Sequence, residues 1–172
     1  CKKGENDPMF SLKSRKARLA GEWELSEGSV TTINSGSSYT YSYNGTTCTE
    51  TSNGTTDTYP YTETISYNKD GSFEKTTTND GNIYAQEGYW TFGSKVKEID
   101  LKNKESVIVR VTSTTNTISG TTTTTTYEGT QCPVSEFVID ELSSKKMVRF
   151  VDGSYVGGSS LTQTGTKTFE KK

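Results

Sequence analysis

The chain contains no histidine. That removes every site built on imidazole, including Ser-His-Asp and Cys-His nucleophile constellations. It also contains no G-x-S-x-G elbow, no P-loop and no Gly-rich dinucleotide fingerprint. Carboxylates remain, and two of them suffice for glycoside hydrolysis. The strand-borne candidates are Glu98, Asp100, Glu136, Asp140 and Glu141. They sit in alternating charged stretches whose polar positions face solvent, so no catalytic residue is assigned and the expectation is that the chain is not an enzyme. Asp70 and Asp80 fit hairpin turns fully and lack the repeated oxygen ligands of a calcium loop. Two isolated cysteines without histidine give too few soft ligands for zinc. No metal and no cofactor is therefore expected. Asn44-Gly45-Thr46 and Asn53-Gly54-Thr55 match the N-glycosylation pattern, which a Thr-rich sequence produces as a by-product.

The cysteines carry the remaining chemistry. Cys1 is followed by the polar run Lys2-Lys3-Gly4-Glu5-Asn6-Asp7. A Cys at the first position resembles the mature start of a bacterial lipoprotein, in which that Cys carries the lipid; the alternative is an arbitrary start. Six extended residues reach roughly 20 Å, enough to hold a domain just off a membrane surface. The run resembles the export signals of surface lipoproteins in Bacteroidetes. With Cys1 lipidated, Cys48 and Cys132 remain. An oxidising compartment favours a disulfide between them, and the other reading is two inert thiols.

The elements that would position these residues are almost all β. One helix is expected: Asp7 caps it, Pro8 suits its first turn, and apolar Met9, Phe10, Leu12, Ala17 and Leu19 mix with Lys13, Arg15, Lys16 and Arg18 up to Leu19. The basic cluster is either a solvated helix face or a contact with anionic headgroups. After Gly21 the enrichment is in Thr, Tyr, Val, Ile and Phe, which suit a pleated, half-buried surface. Val107, Val109 and Val111 alternate with Ile108, Arg110 and Thr112; Val96 to Leu101 and Phe137 to Asp140 alternate likewise. Turn signals such as Asn68-Lys69-Asp70-Gly71, Asn79-Asp80-Gly81-Asn82 and Ser143-Ser144-Lys145 recur every 8–12 residues or so, the rhythm of a barrel or sandwich. About nine or ten strands follow. The Ser/Thr-rich stretch 35–58 and the run Thr121 to Thr126 read as exposed strands, since Thr is β-branched. Tyr39, Tyr41 and Tyr43 share one face, where they either line a pocket or pack over a barrel end.

The 172 residues suit one domain. Only 28% are hydrophobic, and Leu, Ile, Val and Phe make up roughly 17%, a level that signals disorder only with a large net charge. Here the net charge is −2, so the core is thin rather than absent. No stretch approaches the ~20 apolar residues of a membrane helix. The pI of 5.3 gives no basic surplus for nucleic acid.

Leu19-Ala20-Gly21-Glu22-Trp23 places a Gly-x-Trp at the first strand just after a short helix. This resembles the opening motif of lipocalins, in which the Trp closes one end of the barrel. Lys69-Asp70-Gly71-Ser72-Phe73, Glu87-Gly88-Tyr89-Trp90-Thr91-Phe92, Glu98-Ile99-Asp100-Leu101, Phe137 to Leu142 and Met147-Val148-Arg149-Phe150 are similar to the lipocalin-like lipoproteins of Bacteroidetes. Glu24 departs from the family, which usually places an aromatic, Leu, Arg or His after the Trp. The resemblance implies that a late Arg, here Arg149, stacks on Trp23. Meander connections with short turns independently give an antiparallel up-and-down sheet, whose closure removes exposed edges. The fold expected is an all-β, antiparallel up-and-down barrel of about 8–10 strands with a short N-terminal helix; a two-sheet sandwich is the alternative. Residues 1–7 would be the lipid-anchor tether and 8–172 one lipocalin-like barrel domain. The function expected is a cell-envelope module, as an outer-membrane lipoprotein held through lipid on Cys1, that binds a small hydrophobic or amphipathic ligand. The alternative is an interaction lipoprotein with a filled barrel. Trp23, Tyr41, Tyr67, Phe73, Tyr89, Trp90, Phe92 and Phe150 are interior candidates, and of these Tyr41, Tyr67, Phe73, Tyr89, Trp90 and Phe92 are candidate ligand contacts.

Overall fold

A computed structural model describes residues 13–34, 36–95, 97, 102, 105–152 and 161–172. The expected start of the helix at Asp7-Pro8, the Cys1 tether and most of the Val96 to Leu101 strand lie outside these residues. Among the described residues there are one short α-helix, α1 (Arg15–Leu19), and eleven strands. These are β1 (Gly21–Asn34), β2 (Ser37–Tyr43), β3 (Thr47–Ser52), β4 (Thr55–Tyr67), β5 (Ser72–Asn79), β6 (Asn82–Phe92), β7 (Ser106–Ile118), β8 (Thr121–Thr126), β9 (Val134–Leu142), β10 (Lys146–Asp152) and β11 (Leu161–Lys171). Every pairing is antiparallel, and the sheet closes through β6–β7 into a ten-strand barrel. β8 hangs from β7 outside that ring. The barrel expected from the strand rhythm is present, and the sandwich is not.

The two ends of the barrel differ in girth, and hydrogen bonding shows why. At one end Gly21–Glu24 of β1 pairs directly with Thr64–Tyr67 of β4. Farther along, β1 and β4 part, and the β2–β3 hairpin fills the gap, pairing with β1 on one side and β4 on the other. The barrel is thus narrow where α1 sits and wide at the opposite mouth. Three hairpins at the wide end turn on two residues at positive φ: Asn53-Gly54, Asp80-Gly81 and Ser119-Gly120. That pair of conformations is the demand of a type I′ turn, whose twist matches the flanking strands. At the narrow end the Asp70 carboxylate accepts from the Ser72 backbone N–H and hydroxyl, both at 2.8 Å, and fixes the β4–β5 turn.

Period-two patterning sends apolar residues inward at the narrow end. Trp23, Leu25, Ile65, Tyr67, Phe73, Val107, Val109, Ile139, Leu142, Met147 and Phe169 form one buried cluster with Leu19 of the helix. The helix is capped by Ser14, whose hydroxyl accepts from the Ala17 N–H at 3.1 Å. Its Leu19 carbonyl accepts from the Trp23 indole at 2.7 Å. Trp23 is fully buried and closes this end of the barrel. Arg15 and Arg18 are not a solvated face: both are buried, and the Arg15 guanidinium reaches the Ile139 carbonyl at 3.5 Å. Lys13 and Lys16 are exposed and keep the solvated face; Arg15 and Arg18 lie on the side of the helix turned to the barrel end. The outer face of the sheet carries Thr pairs instead, such as Thr49–Thr58 and Thr115–Thr124, with hydroxyls 3.1 and 3.0 Å apart.

Candidate functional site

The inward positions change character along the barrel. On four strands, the residue two places from a buried apolar residue is charged: Glu63 beside Ile65, Lys75 beside Phe73, Arg149 beside Met147 and Lys167 beside Phe169. A two-residue step keeps the same face, so these four charges form a layer directly above the apolar core. Glu63 is at its centre and fully buried. One carboxylate oxygen accepts from Arg149 at 2.9 Å and faces Lys75 at 3.1 Å; the other accepts from Lys167 and from the Tyr61 hydroxyl, the latter at 3.1 Å. Lys167 lies in the lee of Gly28, where a Cβ would stand 3.3 Å from the lysine Cγ. Aromatic rings wall the layer. The Arg149 guanidinium packs on Phe137 and Phe169, and the Lys167 ammonium lies 4.5 Å from the centroid of Tyr43.

One carboxylate faces three cations, so the layer carries a surplus of positive charge. Burial alone would raise the Glu63 carboxyl; Lys75, Arg149 and Lys167 together outweigh it and hold the group well below the ordinary carboxylate range. Burial brings Lys167 down to about 8, with Glu63 opposing and the neighbouring cations adding to the depression. Burial is likewise the main cause that raises the Tyr43, Tyr61 and Tyr67 phenols. Two buried polar atoms beside this layer, Arg149 Nε and the Tyr67 hydroxyl, have no hydrogen-bond partner among the described residues.

Above the charged layer the barrel opens into a cavity of about 440 Å³. Val30, Thr32 and Asn34 of β1, Tyr39, Tyr41 and Tyr43 of β2, and Gln163 of β11 line it. Val30 pairs with Tyr41 and Thr32 with Tyr39, so strand register sets the lining. Tyr43 is shared between cavity and layer: its ring packs 4.9 Å from Tyr61 and over Lys167. Of the two readings open for Tyr39, Tyr41 and Tyr43, the structure gives the pocket wall.

Of the ligand contacts expected from sequence, only Tyr41 lines this cavity. Tyr67, Phe73 and Trp90 are inward but buried in the filled narrow half, and Phe92 packs edge-on against Trp90 with centroids 5.5 Å apart. Tyr89 and Phe150 lie on the outer face, 62% and 42% exposed, because each is one residue out of phase with its inward neighbour. Arg149 does not stack on Trp23. The cation over that ring is Lys171, 5.0 Å from its centroid, placed there by the Trp23–Lys171 pairing. Cys48 and Cys132 are free thiols, which corrects the expected disulfide. They sit on strands and turns far apart around the ring: Cys48 lies on β3 between Tyr43 and Tyr59, and Cys132 follows β8, its Sγ 3.5 Å from the Tyr127 carbonyl. Among the carboxylates considered for hydrolysis, Glu136 meets the Ser106 hydroxyl and Glu141 pairs with Lys146 at 3.1 Å; Glu98 and Asp100 lie outside the described residues.

Sequence reasoning missed Glu63, Lys75 and Lys167. For Glu63 and Lys75 the signal was available, since each continues the inward phase of the strands that flank the Asn68 to Gly71 turn; Lys167 lies on β11, which no turn signal or alternation had marked. No protein-family model, curated protein or solved structure matches the chain.

Proposed function

We propose that the chain is a binding barrel that takes a small amphipathic ligand through its wide mouth. The observation that carries this reading is the contrast between the two halves. The narrow half is filled by large apolar side chains, while the wide half holds a cavity of about 440 Å³, within the size range of small-molecule sites. Tyrosines offer apolar faces with hydroxyl tips, and Thr32, Asn34 and Gln163 add hydrogen-bonding groups. Such a lining suits an amphipathic molecule better than a hydrocarbon. The envelope setting expected from the polar run after Cys1 belongs to the same proposal, and the mass of the native protein tests for an acyl chain.

The binding reading is tested with N-phenyl-1-naphthylamine, an uncharged probe that fluoresces in apolar surroundings. Saturable binding to the wild-type chain, abolished by Thr32→Trp in the cavity wall, is the expected result. No saturable binding to a folded wild-type protein refutes it.

A further inference from the structure

The charged layer beneath the cavity is the least expected feature of the fold. A barrel interior that needed only internal pairing would match charges. Here, among the described residues, Lys75, Arg149 and Lys167 converge on the one carboxylate of Glu63. The carboxylate already has its oxygens occupied by these groups and Tyr61, so it cannot neutralise more. Burying unpaired charge is costly, and the surplus sits at the one depth where the barrel stops being solid. Its position is also directional. Tyr43 lines the cavity and stands at the level of Lys167, both pairing with Gly28, while Lys75 keeps a quarter of its side chain accessible. Arg149 Nε and the fully buried Tyr67 hydroxyl are donors without a partner among the described residues.

We infer that the layer of Lys75, Arg149 and Lys167 is an anion-recognition floor, and that the ligand of this cavity is an amphipathic acid whose carboxylate or comparable oxyanion points down toward it. This inference rests on the binding reading above and adds the chemical class and the orientation of the ligand. The aromatic wall receives the apolar part, and the surplus positive charge attracts the acid through the low-dielectric barrel interior. Glu63 has the complementary role: it holds the cations together without cancelling them.

The experiment compares two probes that share one ring system: N-phenyl-1-naphthylamine, which is neutral, and 8-anilinonaphthalene-1-sulfonate, which adds a sulfonate. The sulfonate is expected to bind about tenfold tighter or more, a preference that salt reduces. Lys75→Gln, a change at the most accessible of the three cations, should weaken the sulfonate several-fold and leave the neutral probe unchanged, with far-UV circular dichroism confirming the fold. Decanoate should displace the sulfonate, and inorganic phosphate should not do so at equal concentration. Equal affinity for both probes would overturn the inference and leave the binding cavity standing. Displacement by phosphate as strong as by decanoate would overturn the amphipathic part. If neither probe binds the folded protein, both readings fall together.

Discussion

Replacing Glu63 with Gln keeps the size of the side chain and removes its charge. In the folded protein three cations lie against that carboxylate, at 2.9 Å for Arg149 and 3.1 Å for Lys75, with Lys167 in hydrogen-bond contact. Glu63 has no exposed surface. The variant therefore leaves the three cations with no counter-ion among the described residues and turns an amide N–H toward one of them. Removing one partner of a buried ion pair costs about 3–5 kcal/mol. For a chain of this size that corresponds to a fall in Tm of roughly 6–20 °C. Urea unfolding at pH 7 measures it. Acid supplies a second, independent readout. A carboxyl held below its ordinary range stabilises the fold above its unfolded pKa, and that contribution disappears as pH falls through the folded value. The gap between wild type and Glu63→Gln should thus be widest near neutrality and close on strong acidification. Adding Lys167→Met to Glu63→Gln removes one stranded cation and should recover part of the loss, with a coupling of about 1–3 kcal/mol. A single-variant loss under about 1 kcal/mol, the range of exposed ion pairs, would refute the view that Glu63 is the hub of a buried layer.

The same layer predicts a stability maximum in mild alkali. Lys167 falls to about 8 in the fold, below its ordinary value of 10.5, so the unfolded chain holds more protons between those values and stability rises with pH there. The Tyr43, Tyr61 and Tyr67 phenols shift upward, so their contribution is present below about pH 10 and is lost as pH rises further; thermal melts from pH 6 to 11 would show a peak, and a monotonic fall above pH 7 would contradict it. Leu19→Ala should cost about 2–5 kcal/mol, because Leu19 is fully buried where the helix meets Trp23; probe binding at the far mouth should persist, measured at a temperature where the variant is folded. Dithiothreitol should leave the Tm unchanged and both Cys48 and Cys132 should react with a thiol reagent after unfolding, since neither is in a disulfide. Gly165→Val should impair folding, as a Cβ there would come within 2.1 Å of the Ser29 carbonyl oxygen at φ +151°; normal expression and melting of that variant would show that β1 and β11 approach less closely.

The sequence made some parts of this fold legible because their causes are local. Alternation in Val107, Val109 and Val111 marks an inward face, and all three are buried. Asp80-Gly81 declares its turn. Asn53-Gly54 makes the same turn, but the Ser/Thr-rich composition of 35–58 masked it; both residues adopt positive φ. Non-local facts were not legible. Whether Lys171 or Arg149 covers Trp23 depends on the register between β1 and β11, and a one-residue change of phase decides which side chains face inward. Tyr89 was misplaced for that reason: Trp90 is inward, and its immediate neighbour must then face out. The helix misled in a similar way. Arg15 and Arg18 look like solvated residues in isolation, and only the barrel end beneath them makes them buried.

The division of the aromatics between core and pocket bears on function more than any other feature. A sequence poor in large apolar residues has a choice between filling its barrel and lining a pocket. This chain does both by dividing the barrel along its length. Trp23, Tyr67, Phe73, Trp90 and Phe169 are all used in the narrow half. The wide half is held open by backbone geometry instead, because the β2–β3 hairpin widens the ring where β1 and β4 separate. Pocket volume therefore comes from strand number and not from small side chains. The charged layer then follows as a boundary condition. The solid core must end somewhere below the mouth, and at that boundary side chains meet both apolar packing and the polar cavity. Long cations suit it, since their stems pack against rings while their heads gather on one carboxylate. On this view shortening β2 and β3 would remove the pocket and leave the core, Trp23 and the helix intact, so pocket and stability can be altered separately in this barrel.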